Sequence, residues 1–586
     1  MHSTTAELVA RSVQGVNKMK VSHRIALLGS AITATTVLLA APAQATCSYA
    51  GGDFTCATTV TTNTSFLFPY TVPLNDRNYT FPANPLGSNG GLIVSTGASV
   101  TGYGLALSGA GPLGPNLTFT NNGAVQIDAG NTATAGGGAA VNVNGGGAVN
   151  VNYSGNGSVT NLGTGGSGLE FGLTGTGSLN ATVGGNVTSA VGGSGVFANG
   201  ATSTGGNINL STLVGTTVRA GFVGVYAIDG AAANAGSVTV INNSTVGSLV
   251  ASPNTLQYGV YSTSQGTGAV TATNNGAIGS ATDRIVTVGV GSTINNAGST
   301  ANVSLTGTGA VFTGPATLGG LFANNAGSGT TTVTYSGAVN TTGGVGILSN
   351  STIGIDTVNA NGTVTSVGGS AIQTTTTTGR TDINVGANVS GTGVGIDGIT
   401  ANSTSGAINV NVAGGNVTGG DDGIQATTSG LTTVAVSTGR TISAAYGVNV
   451  AGSGAGIVNN AGTITGTNAS VYSALATNGV TVNNNTGGVL NGNLNLSNGV
   501  DILNNSGTFN AAAGTLLYGG NDVITNLTGG VINLGGSIDF GAGTDAFSNN
   551  AGSTLNITAN SSLLGLETLT QNGRINMAAA TTLTGP

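Results

Sequence analysis

Two strand signals recur along this chain with one shared period. A small residue followed by an apolar one returns at Gly346-Ile347, Ala371-Ile372, Gly395-Ile396, Gly423-Ile424, Gly447-Val448 and Ser470-Val471, in steps of 25, 24, 28, 24 and 23. A second signal keeps pace at Ile383, Ile408, Val434, Ile457 and Val482, in steps of 25, 26, 23 and 25. Around these positions apolar residues alternate with Asn, Thr and Ser, as in Ile408-Asn409-Val410-Asn411-Val412 and Val141-Asn142-Val143-Asn144. Period-two alternation puts the apolar set on one face of a strand. Two strands sharing a repeat of about 20–26 residues are coils of a solenoid, each stacked on the next.

The turns between the strands carry a third marker. Asn-Asn-x-Gly or a close variant appears at 121–123, 274–276, 295–298, 324–327, 459–462, 504–507 and 549–552. Asn and Gly tolerate the left-handed backbone of corners, and stacked Asn side chains hydrogen-bond as ladders. Leucine-rich repeats need regularly placed Leu, and propeller blades need about 40 residues. Neither pattern is present. The predicted fold is all-β: a right-handed, single-stranded parallel β-helix over 91–586, with roughly 20 coils stacked about 4.8 Å apart.

Composition agrees with a packed solenoid. Of 586 residues 106 are Gly and 10 Pro, together about 20%, below the roughly 25–30% of aperiodic low-complexity chains. The mean hydropathy is positive, which argues against disorder.

The N-terminus reads as an export signal over 1–45, with a start at either Met1 or Met19. Met19 to Arg24 is a basic stretch, Ile25 to Ala41 is apolar, and Ala43-Gln44-Ala45 has the small-residue form of a cleavage site. Removal of this signal leaves six arginines against 16 acids, and no Lys or His. Such a chain lacks a basic surface for nucleic acid. It also has no His for a general base, a Ser-His-Asp triad or a metal ligand. The segment 46–90 concentrates aromatics and prolines and reads as a cap on the open end of the solenoid. Its Cys47 and Cys56 are the only cysteines, and in an exported chain they are expected to form a local disulfide.

Little in the sequence points to catalysis. Parallel β-helix lyases and hydrolases use clustered acids with calcium and a basic residue, or paired carboxylates. The nearest approach is Asp397 with Asp421-Asp422, one coil apart, flanked by Arg380 and Arg440. Asp397 and Asp422 each precede a Gly, where Asp serves a turn, so turn chemistry is the favoured reading. Gly541-x-Gly543-x-Asp545 and Gly520-Asn521-Asp522 resemble halves of a calcium-binding nonapeptide, but they lie one coil apart rather than nine residues apart. No catalytic, cofactor or metal residue is therefore assigned.

The C-terminal register is the clearest. Asp501, Asp522, Asp545 and Glu567 follow one another at intervals of 21, 23 and 22, with Asn505, Asn526, Asn549 and Gln571 four positions after each. Stacking would bring the amides together as a ladder. It would also set like charges about 4.8 Å apart, so the acids are expected to splay outward at a solvated corner.

An export signal at 19–45, the Asn-Asn-x-Gly corners and the late motif Asp539-Phe540-Gly541-Ala542-Gly543-Thr544-Asp545-Ala546-Phe547-Ser548-Asn549-Asn550 together resemble the passenger of a bacterial autotransporter (type V secretion). The last motif is similar to passengers of alphaproteobacteria. The resemblance implies a pectin-lyase-like or pertactin-like β-helix. It also implies passage through the inner membrane and display at the cell surface, on the outer membrane or outside the cell. The expected role is that of a structural or adhesive rod without an enzymatic reaction. Expected partners are surface glycans, receptors on a host or neighbouring cell, or copies of itself. The family's translocator barrel, with its alternating segments and aromatic girdles, has no counterpart in this sequence. Membrane attachment would thus need a translocator outside it. The competing expectation is a secreted, pectate-lyase-like enzyme acting on carbohydrate.

Overall fold

The structure is a computed structural model that describes residues 139–585 apart from 250–253, 315–317, 474–475, 512–513 and 518, and shorter stretches between 47 and 129. The expected export signal of 1–45 and most of the expected cap lie outside the described residues. Every regular element among the described residues is a β-strand. One coil consists of Val141–Gly147, Asn150–Ser154 and Ser158–Asn161, and the next of Leu169–Gly175, Leu179–Val183 and Val187–Thr188. Each strand pairs in parallel with its counterpart one coil on: Val141 with Leu169, Val151 with Leu179, Val159 with Val187. Stacking these coils produces a parallel β-solenoid with three faces, here numbered 1, 2 and 3 in chain order.

Among the described residues face 2 is one continuous 21-stranded sheet, in which each strand after the N-terminal hairpin comes from a new coil. Its first strand, Cys47–Ala50, is antiparallel to Asp53–Cys56. Asp53–Cys56 in turn pairs in parallel with Gly90–Val94, in register with the solenoid that follows. Face 3 thins to single bridges at one place, Val246 to Ile278 and Ile278 to Val311. Two long strands, Thr441–Val450 and Thr463–Tyr472, run from face 3 round the corner into face 1.

Coils in the first half are longer than the period read from the sequence. Between Asn116 and Thr331 the sequence separation of register partners runs from 28, as for Val151 and Leu179, to 34, as for Asn116 and Asn150. The separation falls to 24–27 between Thr331 and Val480, and to 21–23 from Thr481 to Thr568. The extra residues sit in corners, such as 275–287. The ladders fix the strands, and a longer surface connection costs little.

The alternating pattern fills the interior. Ile408, Val410 and Val412 are buried while Asn409 and Asn411 point outward. Each buried Val, Ile or Leu contributes roughly 1.5–3 kcal/mol over exposure. The rings of Phe119, Tyr153 and Phe171 stack through the N-terminal interior with centroids 5.5 and 5.2 Å apart. A separate apolar cluster of Val288, Leu318 and Phe322, with Tyr258, Tyr261 and Leu348 against it, lies apart from the main core. Gly291 makes room for it, since a Cβ there would stand 2.3 Å from the Tyr261 ring.

Candidate functional site

Two polar arrangements are built by the stacking. The first is at the C-terminal end of face 2. Asn460, Asn484, Asn505, Asn526 and Asn549 are wholly buried, one per coil. Each Nδ2 up to Asn526 donates to Oδ1 of the next residue, at 2.7–2.9 Å. The second hydrogen of each reaches a backbone carbonyl, for example Thr554 O from Asn526 at 3.0 Å. Gln571 is in register with Asn549, but it is exposed and donates to Gly573 O.

The acids beside this ladder correct the sequence-based expectation. Asp501, Asp522 and Asp545 do not splay into solvent; all three are at most 1% exposed. Each carboxylate accepts the backbone N–H of the preceding coil: Val480 to Asp501 at 2.6 Å, Asp501 to Asp522 at 2.8 Å, Asp522 to Asp545 at 2.6 Å. Glu567, itself exposed, accepts from Asp545 at 2.7 Å. The reason is the corner itself. A buried N–H at the start of a strand needs an acceptor, and leaving it unpaired costs as much as the bond it lacks. That demand outweighs the repulsion between neighbours one coil apart. The second oxygen of Asp501, Asp522 and Asp545 is buried with no hydrogen-bond partner. Burial first, and then the next acid in the column, push Asp501 up to about 7 and Asp522 up to about 6, and raise Asp545.

The second arrangement lies where face 3 turns into face 1. Asp397 stands in the corner before Ile399–Ser403, and Asp421 and Asp422 occupy the same corner one coil on, Asp422 opening the strand Asp422–Thr427. One carboxylate oxygen from each of the three lies within 4.8 Å of the others. A column of outward residues on face 1 holds them. Thr400, Gln425 and Asn449 are register partners in successive coils. Thr400 Oγ1 donates to Asp397 Oδ2 at 2.8 Å, while Gln425 Nε2 and Asn449 Nδ2 both donate to Asp422 Oδ2, at 3.0 and 2.9 Å. The Asp422 N–H donates to Asp397 Oδ1 at 3.2 Å. Desolvation, with Asp397 and Asp421 adding to it, raises Asp422 to about 6; burial also raises Asp397.

The arginines read alongside these acids are elsewhere. Arg380 pairs with Asp382 at 2.8 Å, and Arg440 Nη1 donates to Gly414 O at 2.9 Å. The acid-plus-arginine constellation of a lyase is thus not assembled at this corner. The sequence reading also missed Thr400, Gln425 and Asn449. Their spacing of one coil carried the signal, because outward positions one coil apart stack as surely as inward ones. The calcium-like half-motifs at 520–522 and 541–545 are engaged with backbone instead: Asn521 Oδ1 accepts Thr544 N at 2.9 Å, and Asp545 accepts Asp522 N. In comparison with known proteins, no family model, curated protein or solved structure matches this chain.

Proposed function

We propose that this chain is the exported rod of an autotransporter-like protein, displayed at a cell surface and serving a structural or adhesive role without catalysis. The observation that carries this reading is the outer surface of the solenoid. On face 3, Asn491, Asn510, Asn533, Asn556 and Asn576 form an outward amide ladder with bonds of 2.6–2.7 Å. On face 2, Asn459, Asn483 and Asn504 form another, at 2.9 and 3.0 Å. Such ladders tile the C-terminal coils, between residues 459 and 576, with one repeated uncharged polar surface. A surface of this kind suits many weak contacts with glycans, with a receptor or with a second rod, rather than one deep site. The export signal and the low charge are in keeping with it. The test is antibody labelling of intact cells that make the full chain, before and after external protease. Labelling that protease removes while cytoplasmic markers survive supports display; signal only after lysis overturns it.

A further inference from the structure

The corner between faces 3 and 1 holds more negative charge than its hydrogen bonds account for. Asp422 is 2% exposed and Asn449 8%, yet Oδ1 of each has no hydrogen-bond partner. The two groups that carry these orphan acceptors are neighbours, since Asn449 Nδ2 donates to the other oxygen of Asp422 at 2.9 Å. An unpaired buried carboxylate oxygen and an unpaired buried amide oxygen are each costly, because neither is compensated for the water it lost. Asp397 and Asp421 converge on the same place, and the cations nearest in sequence, Arg380 and Arg440, are committed elsewhere.

We propose that Asp397, Asp421, Asp422 and Asn449 form a binding site for a hard divalent cation of the calcium class. Every donor in the set is an oxygen, which selects calcium or magnesium over softer metals. Calcium is favoured over magnesium because it takes six to eight oxygen ligands in flexible geometry, carboxylates and amide carbonyls among them, whereas magnesium demands a near-ideal octahedron and keeps several of its waters. The carboxylate atoms here lie within 4.8 Å of one another, close enough to share one ion. The donors come from three successive coils, so the ion would act as a rivet along the rod. This goes beyond the proposed role of the rod and does not depend on it.

Tyr446 offers a direct readout, being the register partner of Asp422 in a chain with no Trp. The full chain is titrated with terbium and then with calcium alone. Tyrosine-sensitised terbium luminescence displaced by calcium, with a higher melting temperature in calcium, is the expected result. Asp422→Asn and Asp421→Asn should each weaken calcium binding at least tenfold. Asp421 is only half-buried, so Asp421→Asn keeps the test valid if the buried substitution impairs folding. No calcium response at millimolar concentration overturns the site. So does a response that survives Asp421→Asn but is lost in Asp522→Asn, which would place the ion in the C-terminal column, and so does an equal response to magnesium.

Discussion

The backbone N–H of Asp501 donates to Oδ1 of Asp522 across a coil boundary at 2.8 Å, and both side chains are buried. The same link repeats from Asp522 to Asp545. A column of carboxyl groups thus satisfies corner amides with one oxygen and leaves the other without a donor. For an ionised carboxylate that environment is poor; for a neutral carboxylic acid it is adequate.

This makes the C-terminal coils acid-favoured. The ordinary value for these groups is 3.8, and in the folded chain Asp501 lies near 7 and Asp522 near 6. Between those limits the folded chain binds more protons than the unfolded one, so stability falls as pH rises from about 4 to about 7. The contribution is fully present below about pH 4 and lost above about pH 7. Going from pH 5 to pH 8 should cost this region about 1–2 kcal/mol, taking roughly 1.4 kcal/mol for each tenfold change in proton affinity and discounting for relaxation. Asp522→Asn keeps an oxygen for the Asp501 N–H and should flatten the profile. Hydrogen exchange of 480–577 at the two pH values measures it, and protection that rises with pH would refute the column's protonation.

The buried amide ladder should matter more than the outward one. Asn526→Ala removes a bond from Asn505 and bonds to Asn549 and Thr554, leaving those groups buried and unpaired. We expect a loss of about 2–4 kcal/mol. Asn533→Ala breaks comparable bonds to Asn510 and from Asn556 on the outer surface, where water replaces them, and should cost at most about 1 kcal/mol. Thermal melts of the two variants that coincide would contradict this ordering.

The contrast between these ladders shows what the sequence could and could not disclose. Period and alternation identify the coils because each strand must present the same face to the core and to its neighbours. Ile408, Val410 and Val412 are legible for that reason. Coil length before Thr331 was not legible, because extra corner residues leave the strand pattern intact. The orientation of Asp522 was not legible from charge alone, because what decides it is a backbone N–H in the preceding turn of the chain. At the Asp397 corner the acids were visible in the sequence, but the residues holding them were hidden among many similar Thr, Gln and Asn.

The inside-outside phase can be tested at one pair of neighbours. Val410 is 1% exposed, and Val410→Asp would bury a carboxylate among Ile383, Val434 and their neighbours, with an expected loss of several kcal/mol. Asn409 faces outward and donates to Asp382 Oδ1 at 2.8 Å, while Arg380 holds the other oxygen of Asp382. Asn409→Asp would therefore set one carboxylate beside another at a solvated surface, a penalty of about 1 kcal/mol. The ratio of the two losses in chemical unfolding is the measurement, and similar values would reverse the assigned phase.

The N-terminal hairpin supplies the last prediction. Cys47 and Cys56 are direct register partners in an antiparallel pair, joined through Gly51-Gly52. Opposed residues in such a pair bring their Cα atoms within about 4.5–5.5 Å, a spacing that a disulfide spans. The hairpin also lies at the end of face 2, where an unpaired strand edge would invite pairing with another chain. A disulfide would lock that terminal strand in place, and for so short a loop it should contribute about 2–3 kcal/mol at most. Because each coil contacts only its neighbours, the effect should stay local. Hydrogen exchange with and without reductant should show faster exchange over 47–127 and no change beyond residue 300. Uniform loosening of the whole rod, or quantitative labelling of both thiols in the native chain, would contradict the prediction.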